Sequence, residues 1–271
     1  MANILDRYGI KEVADVTFYE LNTNNDGVTE VGAPVLYLDT LKVSTIEQTA
    51  ENAEARGGKG NAALISWDYG KEITVTLEDA LYSAKSLALM FGDVDENGKP
   101  NALTDGDVIT GGTIKKTVWK EQLKTGNKVT INGKDYPMSN IKYYDKDGKE
   151  AQATTFAYAT GDLHLSTGAL QIDVSANGFP GTYYVTGDTF ARSEATGKDE
   201  FFQFIIPKAK VLSESNTITL EAEGDPTVFS MSLKVLRPKD GVMMKLVQYA
   251  LSETVPAPTP DPEPEPEEPN A

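Results

Sequence analysis

The chain has 271 residues and a formal net charge of -16, from 25 basic and 41 acidic side chains. It has no cysteine and one histidine, His164, which excludes disulfide frameworks, thiolate-bound metals, thiol nucleophiles and multi-histidine metal sites within one chain. So acidic a chain is the reverse of a nucleic-acid grip, which needs clustered Lys and Arg, while 39% hydrophobic and 24% charged residues suffice for a packed core.

Met1-Ala2-Asn3-Ile4-Leu5-Asp6-Arg7 lacks the basic head and long apolar run of a secretory signal. No stretch reaches the roughly 18 apolar residues of a membrane helix. Residues 45–56 read as a short helix through Glu47, Glu51 and Glu54, or as a loop, because the apolar face is thin. Arg56-Gly57-Gly58-Lys59-Gly60-Asn61 follows as a basic, glycine-rich loop. It lacks the GxxxxGK[ST] spacing of a phosphate-binding loop; a surface loop of this kind suits contact with a neighbouring subunit.

A strand is expected at 64–67. Glu72-Ile73-Thr74-Val75-Thr76-Leu77 alternates with period two, the pattern of a half-buried strand. Leu77, Leu81, Ala84, Ala88 and Phe91 then fall at helical spacing, predicting a helix with Glu78 and Asp79 in its first turn and Gly92 as its stop. From 93 to 200, turn pairs such as Asn132-Gly133 and Asp147-Gly148 separate short strand candidates at Lys128–Ile131, 154–158, 170–174 and 182–186. Residues 217–223, then Phe229, Met231, Leu233 and Val235, predict a hairpin around Gly224-Asp225-Pro226. A third strand at 242–249 would complete a meander. In the last residues, seven prolines from Pro256 to Pro269 alternate with Asp261, Glu263, Glu265, Glu267 and Glu268. That composition offers nothing apolar to bury and favours a solvated polyproline II tail.

The predicted architecture is therefore mainly β: a β-sandwich or barrel core with one flanking α-helix and an inserted or additional small β lobe. Residues 1–92 and 201–252 would form the core, 93–200 the insertion and 253–271 the acidic tail.

Asp93-Val94-Asp95-Glu96-Asn97-Gly98 resembles half of a calcium loop, but Thr104 stands where the bidentate Glu belongs. Similar fragments at Asn22, Asn24, Asp26 and at Asp145, Asp147 are explained by turn chemistry. His164 has no GxSxG or HExxH companion. Trp67, Tyr69, Tyr143, Tyr144, Tyr183 and Tyr184 are candidates for a sugar-binding platform. No catalytic residue, cofactor or metal is expected.

The stretch from Arg56 through Trp67-Asp68-Tyr69-Gly70-Lys71 to Phe91, and that from Phe201 to Tyr249 with Leu236-Arg237-Pro238, resemble the tail tube (major tail) proteins of long-tailed bacteriophages. The resemblance implies a virion protein, made in the host cytoplasm, whose copies form hexameric rings stacked into a tube. Its partners would be further copies and other tail proteins, with no membrane, and DNA would pass through without specific binding. The segment 45–61 sits where a loop reaching from each subunit to the next ring would fit, making Glu47, Glu51, Glu54, Arg56, Gly57, Gly58, Lys59, Gly60 and Asn61 expected inter-subunit contacts. Two other readings stand beside it: a particle- or cell-surface module recognising a glycan or receptor through the middle lobe, and a carbohydrate-active enzyme.

Overall fold

A computed structural model of the chain describes residues 7–23, 29–95, 112–166, 172, 174, 176–214, 216–218, 220 and 227–249. The predicted tail, the Gly224-Asp225-Pro226 turn and most of the 170–174 strand lie outside these residues.

The strands of the larger sheet are β1 (Tyr8–Ile10), β2 (Asp15–Thr23), β3 (Thr29–Leu38), β4 (Leu41–Gly57) and β5 (Ala62–Asp79), followed by the helix α1 (Ala84–Phe91). The smaller sheet comprises β6 (Thr113–Trp119), β7 (Leu123–Lys124), β8 (Lys128–Ile131), β9 (Lys134–Tyr144) and β10 (Tyr158–His164). The chain then returns to the larger sheet with β11 (Thr182–Ser193), β12 (Asp199–Val211), β13 (Thr217–Ile218), β14 (Phe229–Val235) and β15 (Lys245–Tyr249). The molecule is mainly β, as the sequence indicates. The region read as an insertion contributes to both sheets: 113–164 makes the smaller one, and β11 belongs to the larger.

The larger sheet runs β3-β2-β11-β12-β14-β5-β4 and every pairing in it is antiparallel. Its two end strands, β3 and β4, are separated in the chain only by Asp39 and Thr40. Thr40 ties that corner to β5: its carbonyl accepts from Ala80 N at 3.1 Å, and its hydroxyl donates to Asp79 Oδ1 at 2.5 Å. The sheet must therefore fold over on itself. One apolar cluster accordingly joins Val16, Phe18, Leu36 and Leu38 from one end to Val75 and Leu77 from the other. Period-two alternation builds this core: Ile73, Val75 and Leu77 are buried on β5, and Met231, Leu233 and Val235 on β14. Tyr183 is fully buried there, and burial pushes its hydroxyl up to about 12.

Three expectations are corrected. The helix begins at Ala84, not at Leu77, because 77–79 continue β5 and pair with β14, Leu77 opposite Met231 and Asp79 opposite Phe229. Both periods bury Leu77, so the apolar spacing could not separate them; backbone pairing to a partner 150 residues away does. Ser83 starts the helix instead: its Oγ accepts from Ser86 N at 3.0 Å, and Ser86 Oγ accepts from Ser83 N at 2.9 Å, a reciprocal cap. Second, β15 does not extend the β13–β14 hairpin into a meander. It pairs with the first half of β12, Phe201 opposite Tyr249, while β14 takes the second half. Third, residues 153–155 form a turn, closed by Thr155 N donating to Gln152 O at 3.0 Å, and β10 starts only at Tyr158.

The smaller sheet runs β6-β10-β9-β8-β7 and has its own core of Val118, Val129, Met138, Phe156, Ala159 and Leu163. Its 145–148 turn bears out turn chemistry: Asp145 Oδ1 accepts from the backbone N–H of Asp147 and of Lys149, each at 2.9 Å.

Candidate assembly interface

The segment expected as a helix or loop at 45–56 is neither. It is the outer part of β4, paired with β5 in one long hairpin from Leu41–Asp79 out to Gly57–Ala62. The sequence 65–69 alternates apolar and polar residues, and 62–69 pairs with β4 throughout apart from a one-residue shift at Leu64, which decides the conformation. The tip is a turn in which Gly58 O accepts from Asn61 N at 3.2 Å. Gly58, Gly60 and Asn61 take positive φ there, values that glycine and asparagine tolerate best.

From about Glu51 outward the hairpin leaves the body. No side chain between 51 and 69 is buried. The arm nevertheless has two distinct faces, set by a bulge. Between the pairs Thr49–Glu72 and Glu51–Tyr69, β5 takes three steps where β4 takes two, and Gly70 sits in that interval at φ +62°. One extra residue inverts the alternation of β5. Inside the bulge, odd-numbered Ile73, Val75 and Leu77 face the core. Outside it, odd-numbered Ile65, Trp67 and Tyr69 face the other way, opposite Ala55, Ala53 and Glu51. The result is an apolar stripe on the outer face of the arm, with Ile65, Trp67 and Tyr69 each more than half exposed, at 54%, 54% and 53%. The reverse face carries Asn52, Glu54, Ser66 and Asp68.

The expected contact residues fall on this arm but not together. Glu47 and Glu51 lie on the face of the stripe, and Glu54 and Arg56 on the polar face, with Arg56 Nε donating to Glu54 Oε2 at 2.8 Å. Helical spacing would have aligned the three glutamates; strand alternation separates Glu54 from the others. Gly57, Gly58, Lys59, Gly60 and Asn61 form the tip. The stripe carries the arm's largest apolar surface, and its trace in sequence is the alternation Ile65-Ser66-Trp67-Asp68-Tyr69.

A second apolar feature lies at the base of the hairpin. Residues 11–14 run beside β4, held by Thr189 Oγ1 donating to Glu12 O at 3.1 Å and by Ala14 N donating to Ser44 Oγ at 3.5 Å. Between them is an open groove of about 350 Å³ lined by Ile10, Val13, Val43, Ile46, Phe202 and Phe204 together with Lys11, Glu12 and Lys42. On its far side from β5, β4 has no partner strand among the described residues.

The six aromatics considered as a sugar platform are dispersed. Trp67 and Tyr69 stand on the arm and Tyr183 in the larger core. Tyr184 packs edge-on against Tyr19, and Tyr143 against Phe156 in the smaller core. Tyr144 alone joins an aromatic row, on the outer face of the smaller sheet, stacked on Tyr158 at 5.4 Å with Trp119 at 6.0 Å beyond it. His164 is exposed, with its Nε2 3.1 Å from Ser139 Oγ. Among the described residues no cluster of three or more His, Asp or Glu is placed to hold a metal ion.

Comparison with known proteins agrees with the resemblance read from the sequence. The family described as the YomU/Tube protein family matches residues 8–248. The chain is also 27% identical over 142 residues to the tail tube protein of Bacillus phage SPR. That alignment takes in 51% of this chain and 44% of the relative, so the chain spans less than half of that protein's length.

Proposed function

The chain belongs to the YomU/Tube protein family, and we propose that it is a structural subunit of a phage tail tube: copies assemble into hexameric rings, the rings stack, and DNA passes through the channel. The observation that carries this reading, beyond family membership, is the projecting hairpin. A monomer gains nothing by holding Ile65, Trp67 and Tyr69 in water on a rigid arm; a subunit that covers them with its neighbour does. Glu47, Glu51, Glu54 and the tip residues Arg56 to Asn61 belong to the same contact region. The role is architectural, without catalysis.

Charge distribution supports the reading. Residues 113–164 carry nine lysines against six carboxylates and the 253–271 tail six carboxylates with no Lys or Arg, so the other residues hold a net -13 of the total -16. The acidity therefore lies outside the smaller sheet. A channel walled by the larger sheet repels phosphate and leaves DNA mobile, the opposite of a binding footprint. The smaller sheet would then decorate the exterior. Its row of Trp119, Tyr158 and Tyr144 supports a second reading, a glycan- or receptor-binding face, tested by retention on immobilised polysaccharide and its loss in Trp119→Ala.

The test of the leading reading is negative-stain electron microscopy across a concentration series, with sedimentation velocity. Rings or tubes with a central hole support it. A compact monomer at every concentration, also in the presence of pre-formed tube ends, refutes it.

A further inference from the structure

We infer that the outer face of the arm docks into the basal groove of the next copy, so that Ile65, Trp67 and Tyr69 of one subunit lie against Ile10, Val13 and Ile46 of its neighbour. The inference rests on the tube-subunit reading and specifies which two surfaces meet.

Apart from the exposed Leu64 near the tip, the stripe and the groove are the apolar features that the hairpin presents to solvent, and they cannot satisfy each other within one chain. Both belong to the same paired strands. Ile46, in the groove wall, and Ala53, in the stripe, are seven residues apart along β4, which an extended strand fixes at about 23 Å. They also face opposite ways: Ile46 pairs with Val75 on the core side, whereas Ala53 pairs with Trp67 on the outer side. A rigid hairpin cannot fold its outer face back into its own base. The occupant must come from another molecule, and a second copy brings the complementary surface with it. The groove is open and most of its lining side chains are apolar, with Lys11, Glu12 and Lys42 among them, a mixed surface that suits an aromatic stripe flanked by Glu51.

Joining two different patches of one chain makes a head-to-tail contact, the kind that generates closed rings. A self-complementary contact of stripe against stripe would stop at a dimer and leave every groove open. The bulge at Gly70 is what makes the head-to-tail contact available. Without its parity change the apolar residues of the arm would point to the same side as the groove, and no rotation about a ring axis would bring one onto the other without turning the subunit over.

The chain has no cysteine, so engineered cysteines report the contact cleanly. Ala53→Cys marks the stripe without removing its large side chains, and Lys42→Cys marks the groove; both positions are exposed. Oxidation of an equal mixture of the two single variants is expected to give a covalent dimer of one of each. The double variant is expected to give a ladder of covalent oligomers. Ala53→Cys linking to itself would establish stripe-to-stripe pairing and overturn the inference. Rings visible by microscopy without the mixed cross-link would overturn the docking alone and leave the tube reading intact. Failure to assemble at any concentration, with no cross-link, would overturn both.

Discussion

Trp67→Ser is the sharpest perturbation, because the monomer and the assembly predict opposite sensitivities. In the monomer the side chain is 54% exposed and lies on an arm with no buried neighbour, so replacing it should shift unfolding stability by no more than about 0.5 kcal/mol, the usual range for surface substitutions. In the assembly the exposed half becomes covered. An aromatic side chain of this size offers up to ~250 Å², so about 130 Å² remain to be buried. At ~25 cal/mol per Å² that is about 3 kcal/mol for each contact. A loss of this size weakens each contact by roughly two orders of magnitude. The assay is sedimentation velocity over a concentration series, which reads the concentration at which monomer gives way to oligomer, with a urea melt of the dilute protein as the control. An unchanged melt and a rise of ~100-fold in the assembly concentration are expected. Assembly at the unaltered concentration would refute the argument that the stripe is covered by a neighbour.

Replacing residues 51–69 by an Asn-Gly turn should abolish assembly while leaving the thermal midpoint of the monomer in place, since no excised side chain is buried; a collapsed β circular dichroism spectrum would show the arm to be structural instead. Gly187→Ala should destabilise by at least about 1–3 kcal/mol, as overpacking does, because a Cβ there would stand 2.0 Å from Phe204 Cζ in the core; urea denaturation reads it, and Phe204→Leu in the same chain should recover part of the loss. Asp162, on the smaller sheet, has its carboxyl held below the usual carboxylate range by hydrogen bonds from Lys115 and from Asn140 Nδ2, the latter at 2.9 Å. A depressed folded value adds stability above the unfolded value of about 3.9 and loses it as pH falls through the lower folded one. In a Trp67→Phe chain, Trp119 fluorescence should therefore report loosening of the smaller sheet in that acid window, and Asp162→Asn should remove that part of the pH dependence; an identical acid profile in both chains would show that Asp162 plays no part.

Period-two strands with one buried face were legible in the sequence because hydrophobic alternation records burial directly. That is how Ile73 to Leu77 and Phe229 to Val235 were found, and Lys128–Ile131 between its turn pairs. Pairing over long sequence separation left no such record. Nothing in residues 242–249 marks that β15 lies against β12 rather than β14, since both neighbours offer the same backbone groups. The start of α1 was misplaced for a related reason. Leu77 satisfies a helical and a strand period equally, and the Ser83–Ser86 cap that decides between them is two ordinary serines until their geometry is seen.

The arm is the part least readable in sequence, and the cause is its exposure. The segment 45–61 carries no burial signal in sequence, because its outer residues are not buried within their own chain. Lacking an apolar face, the segment read as a thin helix or a loop, and Glu47, Glu51 and Glu54 were aligned by a period the backbone does not follow. On β5 the odd positions from Ile65 to Leu77 are apolar except Lys71, so the sequence alone shows no change of face between its two halves. The observed register changes the face at Gly70, where β5 spends one residue more than β4. A glycine between a tyrosine and a lysine is unremarkable in sequence. In the fold it separates two apolar rows, the inner one closing the core and the outer one exposed on the opposite face of the hairpin. A single deletion at Gly70 would restore one parity, return Trp67 to the core side of the hairpin and leave the composition of the arm otherwise unchanged. Such a variant should fold and fail to assemble; tubes formed from it as readily as from the parent would mean that the arm, and not the face it presents, is what assembly requires.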